Sequence, residues 1–286
     1  MTALNFNEIT PKNSAIDGNA NSRVNSSGVY SKKDAPVNSI FDNVETKSPQ
    51  KTDDDLYTNA GYDIQYVTRD GMDYVIYVPK DYDSNKEYTL TVYQHGTGEY
   101  DLNTLYQFEH NEPLLKELSR LSANGEEVAN TIIVAPFRHS GCDNDQAVKD
   151  VKDIVNEICE EYNINKKVLV GYSGGAVGAL YAASQNEDDF YDKVIVMSAF
   201  KEGRITEAIL EKIKSLGVKI FGFSGDTGKE VDKNAESKTE QILEETGNGD
   251  NFILIENAGH SDVPHGAMSD MDGNGHPDLF DVIFDD

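Results

Sequence analysis

Ser173 stands in the run Gly171-Tyr172-Ser173-Gly174-Gly175, directly after the apolar stretch Val168-Leu169-Val170 and directly before Ala176-Val177-Gly178-Ala179-Leu180-Tyr181-Ala182-Ala183. A short apolar run bounded by glycine reads as a buried strand, and the alanine-rich run reads as a packed helix. A serine at the sharp turn between them, a nucleophile elbow, is lifted clear of the sheet edge. The turn leaves no room for side chains two residues before and two residues after it. Gly171 and Gly175 fill those two places. Such a serine attacks carbonyl carbon when a base takes its proton and N–H groups receive the charge that develops on the oxygen. One expected donor is the Gly174 N–H, at the positive end of the helix dipole.

The base must come from one of six histidines, at positions 95, 110, 139, 260, 265 and 276. His260 follows the predicted strand Phe252-Ile253-Leu254-Ile255 on the short segment Glu256-Asn257-Ala258-Gly259, which completes the order serine, acid, histidine. His265 is the alternative. The acid is expected after the preceding strand, where Asp226 follows Gly225; a carboxylate there can hold the imidazole tautomer and stabilise the imidazolium. Glu230 is the second candidate. The run His95-Gly96-Thr97-Gly98 follows an earlier strand. Its Thr97 N–H is the expected second oxyanion donor, with Gly96 shaping the turn and His95 in a structural hydrogen-bonding role.

These residues need a sheet to carry them. Alternating Tyr62, Ile64 and Tyr66, the turn pair Asp70-Gly71, and Tyr74, Ile76 and Val78 predict an antiparallel hairpin that ends at Pro79. Further strands are expected over residues 89–93, 131–135, 168–171, 193–197, 218–223 and 252–255. Helical spacing appears between them. Pro113 opens a run with Leu114, Leu115, Leu118 and Leu121, and Asp145 is the expected cap of a helix carrying Val148, Val151, Ile154, Val155, Ile158 and Tyr162. Two more helices, over 205–216 and 232–246, stop at Gly217 and Gly247. The alternation predicts one α/β domain over residues 56–286, with a mostly parallel central sheet, an antiparallel N-terminal hairpin and helices on both faces. Residues 1–55, rich in Asn, Ser, Asp and Lys with no period, read as a disordered leader.

From about Tyr57 onward the chain resembles the α/β-hydrolase superfamily, and within it bacterial carboxylesterases of the feruloyl-esterase and polyhydroxybutyrate-depolymerase kind. The segments that carry the resemblance are Tyr77-Val78-Pro79-Lys80-Asp81-Tyr82, His95-Gly96, Ile133-Val134-Ala135-Pro136, the serine turn and Gly259-His260. The resemblance implies an α/β-hydrolase fold and ester hydrolysis through an acyl-enzyme, on a small-molecule or polysaccharide-linked ester, with no cofactor required for catalysis. It also implies a final helix near Pro277-Asp278-Leu279-Phe280-Asp281. The family's Gly-x-x-Asp pattern is broken here, because the slot counted from Gly225 holds Gly228. Two rivals share the fold: a serine peptidase of the prolyl-oligopeptidase kind, and a binding module that has lost its acid.

Acidic residues outnumber basic ones by 51 to 25, a net charge of -26 that repels nucleic acid and anionic membrane surfaces. Asp270, Asp272, Asn274, His276, Asp278 and Asp281 stand at the spacing of a calcium loop, with Gly275 at the sharp turn, so the segment is a candidate site for a structural calcium ion, the alternative being an Asp/Asn/Gly-rich turn before the last helix. Cys142 and Cys159 form no disulfide framework. No Sec-type signal is visible. An extracellular or cell-surface setting is the expectation and a cytoplasmic one the alternative.

Overall fold

β-Branched and aromatic residues predominate at the centre of the sheet, which is wholly buried. In β3 (Tyr88–Gln94) and β4 (Thr131–Phe137) every residue is buried. A strand covered on both faces loses the alternation of a half-exposed one, and this is the pattern of a parallel sheet with helices above and below. The computed structural model describes residues 62–68, 72–97, 115, 131–137, 143–200, 205–226, 230–268 and 277–284. The segment read as a leader and the turn pair Asp70-Gly71 lie outside these residues, and of the run after Pro113 only Leu115 lies within them, helical and fully buried.

The remaining strands are β1 (Tyr62–Val67), β2 (Asp73–Pro79), β5 (Ile164–Tyr172), β6 (Lys193–Met197), β7 (Ile220–Gly225) and β8 (Phe252–Ile255). They form an eight-stranded sheet in the order β1-β2-β4-β3-β5-β6-β7-β8. β1 and β2 pair as the expected antiparallel hairpin, and β2 runs antiparallel to β4. Every pairing from β4 to β8 is parallel.

The helices are α1 (Asp145–Glu161), α2 (Gly174–Ala183), α3 (Glu207–Leu216), α4 (Glu230–Thr246), α5 (Val263–Ala267) and α6 (Leu279–Phe284). They cover both faces. Leu169 of β5 points into a core shared with α1, α2, α3 and α4, while Val168, Val170 and Tyr172 point into a second core shared with α5 and α6. Thr206 caps α3, whose last turn closes on Gly217 at φ 67°, and α4 ends before Gly247 at φ 80°. The cap of α1 differs from expectation. Asn144 accepts from the Ala147 N–H, whereas Asp145 accepts from the Tyr181 hydroxyl at 2.6 Å and from Gln185 Nε2 at 3.0 Å. A tertiary partner takes the Asp145 carboxylate, so its neighbour does the capping. β7 begins two residues later than expected and runs two residues further, because Ile220 pairs with Val194 and Gly225 with Ile255. Among the described residues no helix is long and apolar enough to cross a membrane.

Candidate active site

The carboxyl ends of β5, β6, β7 and β8 share one edge of the sheet, and Ser173 follows directly on β5. Its backbone, at φ 52° and ψ -116°, is in a region that residues with a side chain rarely adopt. Two further residues of positive φ, Ser198 at 50° and Asn257 at 59°, lie just past β6 and β8 on the same edge. The serine turn is tied to the sheet by the Ser173 N–H, which donates to the Met197 carbonyl at 2.9 Å, and to α2 by the Ala176 N–H, which donates to the Ser173 carbonyl at 3.0 Å. Space explains the flanking glycines. A Cβ on Gly171 would lie 2.4 Å from the Gly175 carbonyl oxygen, and one on Gly175 would lie 2.0 Å from that of Gln94.

His260 Nε2 lies 3.0 Å from Ser173 Oγ, a hydrogen bond between residues 87 positions apart. Ser173 is 9% exposed, so little water competes for it. Nε2 can accept the serine proton when the imidazole proton sits on Nδ1. The loop that carries His260 is held at several points. Asp226 Oδ1 accepts from the Asn257 N–H at 2.5 Å, Asp262 Oδ2 accepts from the Gly259 N–H at 2.9 Å, and the Tyr172 hydroxyl donates to the His260 carbonyl at 3.1 Å. The Tyr172 and His260 ring centroids are 5.3 Å apart with 35° between the planes.

Thr97 lies at the mouth of the site. A Cβ built on Gly174 would be 3.2 Å from the Thr97 backbone nitrogen, so the two amides expected to receive an oxyanion are neighbours. Behind them the His95 ring is fully buried, stacked on Phe137 at a centroid distance of 5.8 Å. Its Nδ1 is 2.7 Å from the Gly96 carbonyl oxygen, which gives His95 the structural hydrogen bond expected of it.

Thus Ser173, His260, Thr97 and Gly174 come together, and Asp226 sits at the foot of the histidine loop. The alternative base His265 lies within α5, and the hydrogen bond to Ser173 is made by His260. Glu230 opens α4, and its side chain lies outside the described residues. Asp270, Asp272, Asn274 and His276 of the calcium spacing also lie outside them. Asp278 and Asp281 cap α6 reciprocally: Asp278 Oδ1 accepts from the N–H groups of Phe280 at 2.8 Å and Asp281 at 2.9 Å, and Asp281 Oδ2 accepts from the Asp278 N–H at 3.2 Å. Sequence reasoning passed over Tyr172, whose place at the end of an apolar strand marks it only as a core residue.

No protein-family model and no curated protein matches the chain. Solved structures do. A mutant of the feruloyl esterase module from Clostridium thermocellum, complexed with sinapinate, is similar at 16% identity with a TM-score of 0.55, over 78% of this chain and 92% of that one. An uncharacterised protein from Capnocytophaga ochracea is similar at 14% identity with a TM-score of 0.50, over 71% of this chain and 60% of that one. A thermostable esterase matches at 18% identity with a TM-score of 0.49, and the chain spans 60% of its length. At these identities the likeness is one of fold.

Proposed function

We propose that this chain, whose fold is that of the α/β-hydrolases, is a serine hydrolase that cleaves carboxylic esters through an acyl-enzyme. The observation that carries the reading is the 3.0 Å contact between His260 Nε2 and Ser173 Oγ, made at a strained turn on the carboxyl edge of the sheet. Ser173 Oγ attacks the ester carbonyl as His260 Nε2 takes its proton. The negative charge that develops on the carbonyl oxygen falls between the N–H groups of Thr97 and Gly174. His260 then returns the proton to the departing alcohol, and a water molecule, deprotonated by the same nitrogen, attacks the acyl-serine to release the acid. Asp226 is the proposed third member. Its carboxylate anchors Asn257, three residues before the base, and its charge opposes the one the imidazole acquires.

A small-molecule or polysaccharide-linked ester is the proposed substrate, and the fold neighbour complexed with sinapinate supports that class. The test is covalent labelling by a fluorophosphonate probe, with turnover of p-nitrophenyl acetate and of peptide anilides measured on the same preparation. Labelling at Ser173 that is lost in Ser173→Ala, with turnover of the ester only, is the expected result. An unlabelled Ser173 overturns the enzyme reading, and faster turnover of anilides than of the ester replaces the esterase with a peptidase.

A further inference from the structure

We infer that Tyr172, the residue directly before the proposed nucleophile, positions the base and favours its protonated form. The inference rests on the serine-hydrolase reading of Ser173 and His260. Three inter-strand steps separate β5 from β8 in the sheet, roughly 14 Å at the usual spacing. The loop after β8 must therefore carry an imidazole back past two strands to reach the serine. Asp226 and Asp262 hold Asn257 and Gly259, the nearer part of that loop, on the β7 and β8 side. Tyr172 ties the far end directly to the nucleophile's own strand.

The pleat of β5 explains how it does so. Val168, Val170 and Tyr172 face the core that also receives Ile253, Ile255, Ala258 and Val263, so the tyrosine side chain runs under the histidine loop. Its hydroxyl ends 3.1 Å from the His260 carbonyl oxygen, and its ring lies 5.3 Å from the imidazole. The hydroxyl fixes the backbone from which the imidazole hangs. At that separation the π-face also attracts the positive charge that His260 gains during each proton transfer. A buried tyrosine usually finds a partner for its hydroxyl; here the partner is the main chain of the base.

Two variants separate the two effects. Tyr172→Phe keeps the ring and removes the hydroxyl, while Tyr172→Leu removes both. Turnover of p-nitrophenyl acetate is measured across pH per fluorophosphonate-labelled serine, so that a misfolded fraction does not count. In Tyr172→Phe, kcat is expected to fall about tenfold with KM changed less than about twofold, and the acid limb of the profile stays in place. In Tyr172→Leu, the acid limb of kcat/KM is expected to move about half a pH unit lower as the imidazolium loses the ring. Should Tyr172→Leu fold poorly, the kcat and KM of Tyr172→Phe decide the matter. A labelled, active wild type with wild-type kcat in Tyr172→Phe overturns the positioning role of the hydroxyl, and an acid limb that stays in place in Tyr172→Leu overturns that of the ring, while the hydrolase reading stands in both cases. Absence of labelling in the wild type overturns the hydrolase reading and this role with it.

Discussion

A methyl group on Gly175 would meet the Gln94 carbonyl oxygen at 2.0 Å, and backbone cannot yield there without moving β3 or α2. Gly175→Ala is therefore expected to cost about 3 kcal/mol or more in urea unfolding, at the upper end of overpacking effects, and to abolish probe labelling of Ser173. Full stability would show that the turn relaxes around the new atom. The acid can be tested without such disruption. Asp226→Asn keeps an oxygen for the Asn257 N–H and removes only the charge. Turnover is expected to fall on the order of a thousandfold with little change in melting temperature; an unchanged rate would give the role to Glu230. Ser173, Gly174 and Thr97 could be named as candidates from the sequence because a strained turn and a close approach admit few residue types and leave glycines beside them, and His260 because it follows the last strand in the required chain order. Tyr172 was not, since nothing local distinguishes a core tyrosine from one whose hydroxyl reaches a loop 88 positions away.

Helix ends show where local pattern stops being sufficient. The left-handed Gly217 at the end of α3 follows a local rule and was readable as a stop signal, and Thr206 caps the start of that helix as its residue type allows. The start of α1 was not, because Asn144 and Asp145 are equally good caps by residue type and the choice between them depends on Tyr181 and Gln185 of a different segment. The same holds for strands: β6 was placed to the residue by its apolar run, whereas β7 was misplaced by two residues because pairing with β6 and β8 fixes its ends. Lys193 extends the point. A lysine at a strand end is ordinarily open to water, yet Lys193 is 1% exposed, its ammonium donating to the Val282 carbonyl of α6 and lying 5.1 Å from the Phe221 ring. Asn144→Ala removes the cap of α1 and is expected to cost about 1 kcal/mol in urea unfolding, with turnover per labelled serine unchanged. An undiminished stability would mean that the tertiary bonds of Asp145 hold that helix end alone.

At the scale of the whole molecule the chain works against its own charge of -26, and one carboxyl inside the fold makes the opposition to ionisation local. Glu161 is the last residue of α1. Both its carboxyl oxygens are buried and have no hydrogen-bond partner among the described residues, and the same is true of the neighbouring Tyr162 hydroxyl. Burial pushes the Glu161 carboxyl up from the ordinary 4.5 to about 7, and the negative end of the α1 dipole acts in the same sense. Tyr82 and Tyr162 pack beside it and supply aromatic rings rather than a compensating cation. The folded state thus holds the proton more tightly than the unfolded chain. The stability this gives is complete below about pH 4.5 and is lost as pH rises through about 7. General repulsion among the other carboxylates grows over the same range, so the wild-type slope alone cannot isolate Glu161. Glu161→Gln can, because it leaves those carboxylates in place and replaces the titrating group by one that stays neutral. Between pH 5 and 8 the wild type is expected to lose melting temperature more steeply than Glu161→Gln, whatever the offset between the two curves. Parallel curves would show that Glu161 reaches solvent or a partner on ionising, and that the tyrosine-lined end of α1 is open to water.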